Sequence, residues 1–256
     1  VVMLRESGMG DGAEARAFFH AEYRLNHLLF TYPKPVVAFM DGITMGGGVG
    51  ISQPARFRVA TETTRFAMPE TAIGLFPDVG GGWYLSRLPG RVGQFLALTG
   101  ARMDGAECRY LGLATHYLPT EALEEVKARI AEHPDRIEGM LGAAAATPPE
   151  PRIAGSMPTI ARHFASDTLE DVLDSLETDS SDWAMKELAT LSAKSPQACK
   201  VSLRLLKEGA AMPDFAAEMT QEYAVASRVV RQHDFIEGVR AVLVDKDNAP
   251  RWNPET

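Results

Sequence analysis

Three consecutive glycines place the strongest local constraint on this chain. Gly46, Gly47 and Gly48 follow the apolar run "KPVVAFMDGI" (34–43) and lead into "VGISQ", which Pro54 brings to a stop. A short apolar run opened by Pro35 and closed by Asp41-Gly42 reads as a buried strand. The glycines then predict a sharp turn into a short helix, because residues without a Cβ let the backbone bend and approach a ligand closely. The first N–H groups of a helix lack internal partners and carry partial positive charge, so such a turn can hold an oxyanion or a phosphate. It can equally be a tight turn packed on the core. The run is not a P-loop, since no Gly-Lys-Ser/Thr follows, and it is not GxGxxG, since Ile51 fills the last position. Nor is "GISQP" a GxSxG elbow, because Pro54 replaces the final glycine.

The stretch "RFAMPETAIGLFPDVGGGW" (65–83) raises a second question, because it keeps two acids, Glu70 and Asp78, in apolar, glycine-rich surroundings. A partly desolvated carboxylate has a raised pKa and becomes a useful base or nucleophile. Two close together can divide those roles. Both could instead be helix N-caps, Asp78 ahead of "VGGGWYL" and Glu70 ahead of "TAIG", although Glu is a poor cap.

Around these motifs, "FRVAT", "RFAM" and "LATHYLP" read as strands, and "GGGWYLSRLPG", "VGQFLALTG" and "DGAECRYLG" as helices. "TEALEEVKARIAEH" is an amphipathic helix with Thr120 in the N-cap position. Short strands alternating with short helices predict an α/β layered core over residues 1–133. A Pro/Ala/Gly-rich connector follows over 134–158. Residues 159–256 form a C-terminal all-helical region, with apolar residues at i, i+3, i+4 spacing and Ser or Asp at several starts.

Composition excludes several classes. A net charge of −8 disfavours non-specific binding to nucleic acid. No apolar run approaches the roughly 18 residues of a membrane span. Cys108 and Cys199 stand in no CxxC or Cys/His spacing, which argues against structural zinc and a disulfide framework. Reduced, buried thiols fit a cytoplasmic setting, or the mitochondrial matrix in a eukaryote; no targeting segment is visible. His20, His27, His116, His133, His163 and His233 show no ligand spacing. In the tail, Arg240, Lys246 and Arg251 could meet phosphates or line a solvated helix face.

"KPVVAFMDGITMGGGVGIS" followed by "FAMPETAIGLFPDVGGGWYLSRLPG" resembles the crotonase (enoyl-CoA hydratase/isomerase) superfamily. Within it, "FFHAEYRLN" and the tail "SPQACKVSLRLLKEG...EY...HDFIEGVRAVLVDKDNAPRW" resemble the 3-hydroxyisobutyryl-CoA hydrolase subgroup. The resemblance implies a crotonase-like spiral of ββα units with a helical C-terminal region, and homo-oligomers such as trimers or hexamers. It implies that Gly47 donates a backbone N–H to a thioester carbonyl and that Glu70 is the catalytic glutamate. Asp78 is then the hydrolase-specific acid, and Glu22 contacts the 3-hydroxyl end of the substrate. Hydratases carry a second glutamate where this chain has Gly50, and tend to carry glycine where it has Asp78. The implied activity is hydrolysis of a short 3-hydroxyacyl-CoA, as in valine breakdown, with CoA part of the substrate and no separate cofactor or metal. The rivals are an enoyl-CoA hydratase or isomerase, and a non-catalytic CoA-binding or assembly subunit. The family's opening strands and its first oxyanion loop are expected ahead of Val1, so this chain starts just after them.

Overall fold

The computed structural model describes residues 1–253. Two helices come first, α1 (Val2–Met9) and α2 (Ala13–Phe30), followed by strands β1 (Val37–Met40) and β2 (Ile43–Met45) and helix α3 (Gly47–Ser52). Strands β3 (Phe57–Ala60) and β4 (Arg65–Ala67) run into a 3-10 turn, Glu70–Ile73. Helices α4 (Gly81–Leu85), α5 (Val92–Thr99) and α6 (Gly105–Leu111) follow, then β5 (His116–Tyr117), α7 (Leu123–Glu132) and α8 (Ile137–Ala144). The remainder is helical: α9 (Met157–His163), α10 (Leu169–Glu177), α11 (Asp182–Ser192), α12 (Pro196–Ala211), α13 (Phe215–Val229) and α14 (His233–Val239). The last runs on into a π-helical turn, Arg240–Val244.

The strands form two small parallel sheets. β1, β3 and β5 make one, with Val37 opposite Phe57; β2 and β4 make the other, with Ile43 opposite Arg65. Each strand pair thus sends its first member to one sheet and its second to the other, before helices carry the chain to the next turn. This is the spiral of ββα units that the resemblance implies. The single strand expected over 34–43 is in fact two. Gly42, at φ +94°, makes the left-handed step that moves the chain between sheets. An apolar run alone does not reveal such a step.

Two apolar clusters hold these layers. The larger spans Leu4 to Val239 and includes Phe19, Met68, Phe76, Leu96, Phe215 and Phe235. The smaller sets Phe57 and Val59 of β3 against Val126 of α7 and Leu141 of α8. The C-terminal helices share the larger cluster with the spiral. α13 packs along α2, α12 lies on α4 and α5, and α14 meets α1 and the Glu70 turn. In the expected connector, Ile137, Met140 and Leu141 of α8 are buried, and 145–151 carries no regular structure.

Most helix starts follow local chemistry. Asp104 and Glu107 form a reciprocal capping box on α6, and Ser181, Ser195 and Asp214 cap α11, α12 and α13. Thr120 does not cap α7. It opens a 3-10 turn, and its hydroxyl donates to Asp41 at 2.9 Å.

Gly74 closes the Glu70 turn at φ +72°, and a β-carbon there would lie 2.2 Å from the Asp234 carbonyl oxygen. Gly112 has a similar φ of +80° but open space around it. We expect Gly74→Ala to lower unfolding free energy by about 2 kcal/mol or more, against about 1 kcal/mol for Gly112→Ala. Equal losses in urea denaturation would show that α14 does not press on this turn.

Candidate active site

The 3-10 turn that begins at Glu70 is tied down on two sides. The Thr71 hydroxyl donates to the Leu98 carbonyl at 3.0 Å, and the Ser195 amide donates to the Thr71 carbonyl at 3.1 Å. The turn therefore holds Glu70 inward, where it is only 6% exposed, and its Oε2 accepts no hydrogen bond. Burial, then the charge of Asp78, hold its carboxyl well above the ordinary 4.5. An orphaned, desolvated carboxylate oxygen is costly unless a ligand or a proton meets it.

Asp78 is buried as well. Its Oδ2 accepts a 2.7 Å hydrogen bond from the Tyr23 hydroxyl. Burial raises its pKa to about 6, although the Tyr23 bond pulls the other way. It caps no helix: the residue ahead of α4 is Gly80, with no side-chain cap bond. Glu70 makes no cap bond either. The capping alternative fails for both acids.

Helix α2 brings the third acid. Glu22 is half-buried, and burial followed by the Asp78 charge pushes it up to about 7. Its Oε1 would lie 3.4 Å from a β-carbon on Gly47, so it faces the exposed start of α3. From the same helix, Asn26 Nδ2 donates to the Gly50 carbonyl at 2.9 Å and ties α2 to α3. A β-carbon on Gly50 would lie 2.7 Å from the Val79 β-carbon and 2.8 Å from Asn26 Nδ2. Position 50 therefore has no room for a side chain. Of the four residues picked out from sequence, Glu22 stands beside Gly47, and Asp78 is near enough for its charge to act on both Glu22 and Glu70.

Sequence reasoning missed the residues that support them. Tyr23 and Asn26 sit in the quoted "EYRLN" motif, one and four positions after Glu22, so a buried polar stripe at helical spacing was there to be read. Val79, and Glu222 from the "EY" of the tail, gave no local sign.

Other candidates lie elsewhere. Cys108 and Cys199 are buried and free, and burial raises both thiols, Cys199 to about 12. His163 is buried between Ser175 and Asp179, on α10 and just beyond it, where it joins helices. Arg240 is not open to a phosphate, because Glu237, Asp245 and Asp247 all bind its guanidinium. Among the described residues no helix is long and apolar enough to cross a membrane.

The family model described as enoyl-CoA hydratase/isomerase matches residues 1–256. A protein named "3-hydroxyisobutyryl-CoA hydrolase, mitochondrial" from Xenopus laevis is 46% identical over 253 residues, 94% of this chain and 65% of its own. The protein of the same name from Homo sapiens is 43% identical over 249 residues, 94% of this chain and 64% of its own. The chain thus spans slightly less than two thirds of the length of these relatives. A solved carnitinyl-CoA dehydratase from Mycobacterium thermoresistibile superposes with TM-score 0.93 at 39% identity, covering 100% of this chain and 73% of that one. An enoyl-CoA hydratase from Rhodobacter sphaeroides gives 0.82 at 38% identity, over 96% of this chain and 73% of that one.

The acids leave a stability signature. Asp78 binds its proton more tightly in the folded chain (about 6) than at the ordinary 3.8. Its contribution is most favourable below pH 4, is lost as pH rises from about 4 to 6, and stays lost above. The loss is on the order of 3 kcal/mol. Asp78→Asn, which keeps an acceptor for Tyr23, is therefore expected to melt near wild type at pH 4 and above it at pH 8. A gap in melting temperature that stays constant across this range would mean that Asp78 is not desolvated.

Proposed function

The chain belongs to the enoyl-CoA hydratase/isomerase family, and from that premise we propose that it hydrolyses a short 3-hydroxyacyl-CoA thioester. The favoured substrate is 3-hydroxyisobutyryl-CoA, giving 3-hydroxyisobutyrate and CoA. The observation that carries this reading is the exchange of acids around α3. Position 50 is filled by Val79 and Asn26, so it cannot present a second glutamate to hold water against a double bond. The acid sits at Asp78 instead, buried and near Glu70. The relatives named as hydrolases support the same choice.

In this reading the thioester carbonyl oxygen lies on the Gly47 N–H at the start of α3. Negative charge building on that oxygen is stabilised there, where donors are fixed in advance. The ionised Glu70 is poorly solvated, which makes it reactive. It either attacks the carbonyl carbon or takes a proton from a water that attacks. Direct attack expels the CoA thiolate and leaves an anhydride on Glu70, which water then splits into acid and free carboxylate. Asp78, titrating near pH 6, exchanges protons with the thiolate or the incoming water. Glu22, on the Gly47 side, receives the 3-hydroxyl of the acyl group.

The second reading, hydration of an enoyl-CoA, is favoured by the names of the two solved structures. One experiment separates them: incubate with 3-hydroxyisobutyryl-CoA and follow free thiol, then with crotonyl-CoA and follow loss of enoyl absorbance. We expect thiol release, and a fall of about 100-fold or more in kcat for Glu70→Gln and for Asp78→Asn, with the fold retained. Loss of enoyl absorbance without thiol would establish the hydratase instead. Full turnover by either variant would remove that residue from the reaction.

A further inference from the structure

The loop that carries Asp78 follows a path that few side chains tolerate. Val79 has φ +53° and Gly80 φ +95°, two left-handed residues in succession. A β-branched residue in that region is strained and persists only where its surroundings over-determine it. On one side, the Val79 side chain is buried against Gly50. On the other, the backbone is gripped by Glu222 of α13. One of its carboxylate oxygens accepts the Gly80 N–H at 2.9 Å and the other accepts the Gly82 N–H at 3.3 Å. Neighbouring N–H groups of a left-handed turn form a concave site for acceptor oxygens, and here the chain's own side chain fills it.

Glu222 is fully buried, and so is Glu218 one helical turn before it. Each acts on the other's ionisation, and neither Glu218 oxygen accepts a hydrogen bond. Burial raises both acids, Glu218 to about 7 and Glu222 well above the ordinary 4.5 even though the Gly80 and Gly82 amides donate to it. A buried pair of acids is a costly way merely to join a helix to a loop. Its position, directly behind a strained turn that ends in an active-site acid, gives it a further use.

We propose that Glu222 is a positioning residue: its two carboxyl oxygens hold the Val79–Gly80 turn and so fix Asp78 on the Tyr23 hydroxyl. This rests on the role given to Asp78 above. Glu222→Gln keeps the size but leaves one acceptor, with an amide N–H2 facing a backbone N–H. With 3-hydroxyisobutyryl-CoA, we expect kcat to fall about 10- to 100-fold while KM barely changes. Amide hydrogen exchange over residues 78–82 should quicken, with α5 and α12 as protected as before. Val79→Gly removes the strain that the clamp opposes. The double variant Val79→Gly/Glu222→Gln should therefore recover activity over Glu222→Gln alone, a rescue that a purely structural tie would not show. Unchanged exchange over 78–82, or a general rise in exchange with no rescue, would overturn the proposal. If the wild-type chain releases no thiol, the hydrolase reading falls separately, and the exchange comparison still decides whether Glu222 holds the turn.

Discussion

The burial of Asp78 against Tyr23 is the interaction around which the rest is arranged. A carboxyl in that place needs a donor, and α2 supplies the hydroxyl at 2.7 Å. To do so α2 must lie across the spiral, and α13 packs along it to keep it there. Burial raises the two other acids, Glu22 and Glu70, and once Asp78 is fixed its field adds to that. Three carboxyls in one small region cannot all ionise freely. The fold therefore sustains a site that loses stability above pH 4 in return for proton exchange near neutrality.

The contest between the hydratase and hydrolase readings reduces to a matter of space. Both need a polarised carbonyl and a glutamate in the position of Glu70. They differ in where a second acid stands. Here Val79 leans over α3 and Asn26 bonds to its backbone, so the wall at Gly50 is closed. The same Val79 is the residue next to Asp78. One loop thus removes an acid from one side of the substrate and installs another. The volume of Val79 explains the first half of the exchange, and the second lies one residue before it.

How much of this could be read in advance depended on distance along the chain. Gly47, Glu70 and Asp78 were legible because each sits in a short motif whose neighbours explain it. The capping alternative for Asp78 also looked sound locally; only the left-handed path through Val79 and Gly80 rules it out. The step at Gly42 was hidden because both strands it joins are apolar. Glu222 was illegible for a different reason. Its partner Gly80 lies 142 residues away, and a glutamate on an amphipathic helix reads as a solvated face. Sequence periodicity shows which residues are apolar, but it does not show which polar residue the fold will bury.

The larger cluster, running from Leu4 to Val239, has a consequence for synthesis. The spiral emerges from the ribosome long before α13, so for that interval the Gly80 and Gly82 amides lack Glu222 and α2 lacks the helix packed along it. Until α13 docks, the strained turn behind Asp78 has no clamp. The support behind that turn is thus acquired late, when the final helices arrive, and is not one that the nascent spiral carries.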